Sequence, residues 1–130
     1  MNHSTIPDDI KPFLKWAGGK QQLLPFIEQS MPPCCRSGEP FVYIEPFVGS
    51  GAVLFWVLKN FPRVKKAVIN DINPALINTY TVIRDQVPKL IEELTGLEQS
   101  YYSCDEPQQK DYFLAIRDEY NASMDSPVRQ

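Results

Sequence analysis

The stretch Phe41-Val42-Tyr43-Ile44-Glu45-Pro46-Phe47-Val48-Gly49-Ser50-Gly51-Ala52 compresses a whole structural transition into twelve residues. Phe41 to Ile44 is a short apolar, β-rich run of the kind found in a strand buried on both faces. A glycine-bearing turn follows at once. From Ala52 to about Lys59, the run Val53, Leu54, Phe55, Trp56, Val57 and Leu58 is too long and crowded for another strand after so tight a turn. It reads as a buried helix. Downstream, Ala67-Val68-Ile69 reads as a second interior strand, ending in the polar cluster Asn70-Asp71-Ile72-Asn73. Asn73 then Pro74 is an N-cap and N1 pair, and Leu76, Ile77, Tyr80 and Ile83 mark one face of the helix it opens. Strand, glycine turn, helix, strand, helix is a βαβ unit, which implies a parallel sheet with a right-handed crossover. Two strands do not make a stable doubly wound sheet: either segments that read as loops supply more, or the rest of the sheet is absent from this chain.

Working outward, Leu23, Phe26, Ile27 and Met31 recur at helical spacing, with Pro25 in the first turn and Pro32-Pro33 as the stop. A loop containing Gly38 and Pro40 leads into the first strand. Toward the C-terminus, Val87, Leu90, Ile91, Leu94 and Leu97 form an apolar helical stripe, with Pro88 near its start and Gly96 near its end. Asp105 with Gln108 resembles a capping box around Pro107, opening a helix with Tyr112, Phe113, Ile116 and Tyr120 on one face. Ser123 to Gln130 reads as unstructured. The expected organisation is a flexible N-terminus over 1–11, one globular domain over 12–121 and a flexible tail over 122–130.

The chain has 130 residues, 43% of them apolar, enough to fill one core but not two. No apolar run approaches the ~20 residues that cross a bilayer. The first residues carry Asp8 and Asp9 and no apolar stretch, so they do not read as a secretory signal, and a cytoplasmic location is expected. Of three cysteines, Cys34 and Cys35 are adjacent and Cys104 leaves the count odd, which disfavours a disulfide framework. His3 is the only histidine and no Cys-x-x-Cys spacing occurs, so zinc chemistry and histidine-dependent triads are poor fits. The net charge of −3 is unevenly placed: residues 1–85 carry +2 and residues 86–130 carry −5. A polyanion would be approached by the first part, where Lys59, Arg63, Lys65 and Lys66 are densest, although such a run is ordinarily a solvated helix end and loop.

The segment Glu45 to Gly51 falls at the carboxyl edge of the first strand, where open α/β sheets bind ligands. Glycines let the backbone approach a ligand, and a helix N-terminus favours an anion. Asp71 ends the second strand 20 residues after Gly51, a spacing that suits a carboxylate accepting both hydroxyls of a ribose. The dinucleotide fingerprint fails because Leu54 stands where the third glycine is needed. The phosphate loop fails because Leu14 and Gln21 flank Gly18-Gly19-Lys20 where Gly and Ser or Thr belong. A nucleoside with one small anionic arm remains the better fit. Bland roles stay open: Asp71 as a turn residue, Glu45 as a capping carboxylate, Trp16 as core filling and Lys20 as a solvated helix-start lysine.

Three segments in order resemble one family. Pro12-Phe13-Leu14-Lys15-Trp16-Ala17-Gly18-Gly19-Lys20, Tyr43 through Ala52, and Asn70-Asp71-Ile72-Asn73-Pro74-Ala75-Leu76-Ile77 are similar to the Dam-like, or D12-class, adenine-N6 DNA methyltransferases. Tyr112-Phe113 and Arg117 to Asn121 look like that family's helical segment. The resemblance implies a partial Rossmann-like, S-adenosylmethionine-dependent methyltransferase fold: a parallel sheet with flanking helices and a helical C-terminal part. It implies S-adenosylmethionine as cofactor, with Trp16, Ala17, Gly18, Gly19 and Lys20 over it and Lys20 near its carboxylate. Glu45, Pro46, Phe47, Gly49 and Gly51 would pass beneath, and Asp71 with Ile72 would hold the nucleoside. It implies double-stranded DNA as the partner of the complete enzyme and requires neither metal nor membrane. The family's downstream Asp-Pro-Pro-Tyr motif, which grips the flipped adenine, does not occur in this chain. The expectation is therefore the cofactor-binding portion of such an enzyme, as a truncated product or a piece completed by another polypeptide. The alternative is a non-enzymatic remnant that binds a protein. A small-molecule or RNA methyltransferase is disfavoured by the Lys15 to Lys20 run.

Overall fold

The computed structural model describes residues 10–125. The expectations for the first nine residues and for 126–130 lie outside them. A 3₁₀ turn over Lys20–Leu23 runs into helix α1 (Leu24–Ser30), with Pro25 in its first turn as the sequence suggests. The Pro32-Pro33 break holds, but a short helix α2 (Cys34–Ser37) occupies part of the expected loop. Strand β1 (Phe41–Glu45), helix α3 (Ala52–Asn60) and strand β2 (Val64–Ile69) follow. Then come α4 (Pro74–Asp85), α5 (Val87–Tyr102) and α6 (Glu106–Asp125).

β1 and β2 pair in parallel, as the βαβ order requires, with Tyr43 opposite Ala67, Ile44 opposite Val68 and Glu45 opposite Ile69. An irregularity between Phe41 and Val42 skips Lys65 in the ladder. Two expectations fail here together. β2 starts at Val64 rather than Ala67, so Lys65 and Lys66 are strand residues and not a solvated helix end and loop. Neither strand is buried on both faces: Val42, Ile44 and Val68 are exposed, Ile44 by 65%. The physical reason is that only one face is covered. Val53, Val57 and Phe61 form the core, and Leu24, Ile27, Met31, Cys35, Phe41, Tyr43 and Val64 pack against it. Side chains alternate along a strand, so using Phe41 and Tyr43 inward turns Val42 and Ile44 outward. A strand with one wet face tolerates lysines.

α3 is the buried helix that its crowded apolar run indicates, with Ala52, Val53, Leu54 and Val57 inside. Val57 and the following Phe61 are fully buried, and full burial of such side chains is worth about 1.5–3 kcal/mol each. Asn73 caps α4: the N–H groups of Ala75 and Leu76 donate to its Oδ1 at 3.0 and 3.3 Å. The Asp105 capping box also forms, with Gln108 N–H donating to Asp105 Oδ1 at 3.1 Å and Asp105 N–H to Gln108 Oε1 at 3.2 Å.

The chain divides into two compact units, Met1–Thr79 and Tyr80–Gln130, and the boundary falls inside α4. In the second unit α5 continues past Gly96 to Tyr102, because the roughly 1 kcal/mol cost of one interior glycine is small in a helix of 16 residues. Its stripe is not core: Val87, Ile91, Leu94 and Leu97 are all exposed. α6 extends to Asp125, into the stretch read as an unstructured tail. Among the described residues no helix is long and apolar enough to cross a membrane. Among them, too, no group of three or more His, Cys, Asp or Glu is placed to hold a metal ion.

Candidate cofactor site

The turn between β1 and α3 is locked to the end of β2. Asn70 N–H donates to the Glu45 carbonyl, and Val48 N–H to the Asn70 carbonyl, each at 2.9 Å. Gly49 N–H donates to Asp71 Oδ2 at 2.9 Å, and Asn73 N–H to Asp71 Oδ1 at 3.0 Å. These two backbone donors, from Asn73 first and Gly49 second, hold the Asp71 carboxyl below its ordinary range, and the Lys20 charge adds to them. Asp71 is thus an anion that both shapes the turn and stands half-buried at the carboxyl edge of β2. The turn residue and the candidate ligand are the same group.

The glycines are needed for conformation. Gly49 has φ +53° and Gly51 φ +83°, a region where a side chain costs roughly 1–2 kcal/mol per residue. Gly51 precedes α3 with no side-chain cap. A helix N-terminus left this way offers its backbone donors and dipole to an anion.

The N-terminal motif faces this turn. Trp16, Gly18, Gly19 and Lys20 share a small cavity with Val48, Gly49, Ser50 and Ala52. Beside it lies an open groove of about 570 Å³, lined by Lys15, Trp16, Ala17, Gly19, Ser50 and Ala52 among others. That volume lies within the roughly 300–1,000 Å³ typical of small-molecule sites. Trp16 is 41% exposed, and a methyl group built on Gly49 would lie 3.7 Å from its Cδ1, ordinary contact. Trp16 is a wall of the groove and not core filling.

Lys20 ties the two segments together. Its ammonium donates to Glu45 Oε1 at 3.2 Å and to the Phe47 carbonyl oxygen. Glu45 is 6% exposed, and its second oxygen accepts from the Tyr43 hydroxyl at 2.8 Å. Burial, then the neighbouring carboxylate, push the Tyr43 phenol up, so it stays a donor. Glu45 is therefore neither a helix cap nor free, and Lys20 is not a solvated lysine.

Of the residues expected from sequence, Trp16, Ala17, Gly18, Gly19, Lys20 and Gly49 line the two cavities. Glu45 joins them through Lys20, and Asp71 through Gly49. Pro46, Phe47, Gly51 and Ile72 line neither cavity. Phe47 and Ile72 are instead 70% and 95% exposed at the same sheet edge. Tyr43 and Ser50 escaped sequence reasoning. Tyr43 was readable, since residues two apart on a strand share a face; buried Ser50 left no signal beyond its place between two glycines.

The residues that could hold a cofactor fit a nucleoside with a charged arm: an anion at the strand end, glycines at positive φ, an uncapped helix N-terminus and flanking aromatics. Comparison with known proteins identifies the family. The profile of the D12 class N6 adenine-specific DNA methyltransferase family matches residues 16–129. The type II methyltransferase M.MjaIII of Methanocaldococcus jannaschii is 46% identical over 113 residues, 87% of this chain and 39% of that protein. The DNA adenine methylase of Haemophilus influenzae is 37% identical over 113 residues, 87% of this chain and 35% of its own length. The DNA adenine methylase of Escherichia coli K12 is 34% identical over 118 residues, 91% of this chain and 36% of its own length. The chain thus spans between a third and two-fifths of these relatives, and no solved structure matches it. A profile match over nearly all of the chain, together with the turn and strand-end carboxylate just described, assigns it to the D12 class of N6 adenine-specific DNA methyltransferases.

Proposed function

We propose that this chain is the S-adenosylmethionine-binding portion of a DNA adenine-N6 methyltransferase, built on part of a Rossmann-like fold. The observation that carries the reading is the Asp71 carboxylate bonded to Gly49, whose turn shares one cavity with Trp16, Gly18, Gly19 and Lys20. Asp71 accepts the ribose hydroxyls with the lone pairs its two backbone donors leave free. Phe47 and Ile72 offer the exposed apolar surface an adenine ring needs. The α3 N-terminus and the Lys20 charge favour the carboxylate arm, and the Trp16 face is compatible with a sulfonium. When bound, the cofactor supplies an activated methyl group. This chain's residues orient that group, which is the catalysis expected where positioning and electrostatics dominate.

Duplex DNA is the proposed substrate of the complete enzyme, and a further polypeptide segment carrying the adenine grip is the proposed complement. The segment 86–130, with its charge of −5, does not suit a phosphate backbone. In this reading the chain's own residues bind the cofactor and the complement grips the flipped adenine. Ultraviolet crosslinking of labelled S-adenosylmethionine tests the reading: crosslinking competed by S-adenosylhomocysteine, without methyl transfer to adenine-containing duplex, supports it. Absence of crosslinking in a folded chain, or turnover by the chain alone, contradicts it.

A second reading, a protein-binding remnant without enzymatic role, draws on the exposed Val42, Ile44 and Val68 face. Light scattering separates the two, since a monomer at all concentrations that binds no apolar dye speaks against the remnant.

A further inference from the structure

Tyr43 connects the core to the groove without lining it. Its ring packs against the Val53, Val57 and Phe61 cluster, so the side chain is anchored where packing leaves least freedom. Its hydroxyl donates to Glu45 Oε2 at 2.8 Å, while the other oxygen of the same carboxylate takes the Lys20 ammonium. Lys20 in turn reaches the Phe47 carbonyl, which is the start of the glycine turn. A buried carboxylate with two lone oxygens rotates about its terminal torsion unless each oxygen is held. One oxygen is held by a flexible lysine and the other by a phenol set in the core. The phenol is the fixed end of the chain of contacts.

We propose that Tyr43 is a positioning residue for the cofactor site. Its hydroxyl orients Glu45 so that Lys20 fastens the Trp16–Lys20 segment over the Phe47–Gly51 turn, and cofactor affinity depends on a group that never touches the cofactor. The affinity half of this rests on the S-adenosylmethionine reading above; the fastening half does not. Removing the hydroxyl leaves the ring and its packing in place, so Tyr43→Phe isolates the orienting role. It acts through Lys20, and its effect therefore disappears once Lys20 is gone.

The test is a cycle of Tyr43→Phe, Lys20→Met and the double variant in the full chain, read two ways. In backbone amide exchange by NMR without cofactor, Tyr43→Phe is expected to speed exchange over residues 16–20 while α3 stays at wild-type rates. The double variant is expected to match Lys20→Met alone. In calorimetric titration with S-adenosylmethionine, Tyr43→Phe is expected to raise Kd about 5- to 20-fold, with no further loss in the double variant beyond that of Lys20→Met. Exchange over 16–20 unchanged by Tyr43→Phe, or effects that add in the double variant, overturns the proposal. If Tyr43→Phe also accelerates exchange throughout α3, the role is merely structural and the proposal fails. A wild-type chain that shows the exchange pattern but takes up no cofactor overturns the cofactor reading and the affinity claim with it, while the fastening role stands.

Discussion

Asp71 holds the turn through its carboxylate, and acid weakens that hold. Its folded-state value is lowered by the Asn73 and Gly49 donors, so its contribution to stability is complete at pH above the ordinary 3.8 and is lost as pH falls through the lower folded value. Urea midpoints between pH 7 and pH 3 are expected to fall more steeply for the wild-type chain than for Asp71→Asn, with the difference opening below pH 3.8. Equal slopes would remove Asp71 from the turn. Gly49→Ala tests the same turn from the other side. The added methyl meets the Trp16 ring at an ordinary 3.7 Å, so the cost comes from φ +53° and is expected at roughly 1–2 kcal/mol in chemical denaturation. The positions of Gly49 and Asp71 were legible because turn chemistry and strand ends leave local marks. The hydrogen bond between them was not, since it joins residues 22 apart through the pairing of two strands.

The elements differ in how openly the sequence announces them. The Asn73 and Asp105 caps form with the partners their spacing predicts, because a cap is satisfied within three residues and needs nothing from the rest of the fold. Asn73→Ala is accordingly expected to cost about 1 kcal/mol by chemical denaturation. The strands hid more. An apolar run such as Val42 to Ile44 reads alike whether one or both of its faces are covered, and the burial of each face depends on layers elsewhere. The lysines at 65 and 66 obscured the start of β2 for the same reason. Burial decides which large apolar residues matter: Phe61→Ala, at 0% exposure, is expected to cost about 3–5 kcal/mol, whereas Ile44→Thr, at 65%, stays within about 0.5 kcal/mol. Comparable losses for the two would contradict the one-sided core.

At the scale of the molecule, a parallel pair of strands with one covered face leaves apolar surface bare, and residues 1–85 and 86–130 carry opposite net charge. Both features belong to a chain that matches between a third and two-fifths of its relatives' length. The family was legible from three short motifs; the division at Thr79 was not, because α4 runs through it without any break in its helical pattern. The central claim is that the site in this chain takes up S-adenosylmethionine by itself. Calorimetric titration of the purified chain, with the Trp16→Ala, Asp71→Ala double variant as control and circular dichroism to verify folding, tests it directly. The account predicts saturable one-to-one binding that the double variant loses; a folded wild-type chain that releases no heat of binding would contradict it.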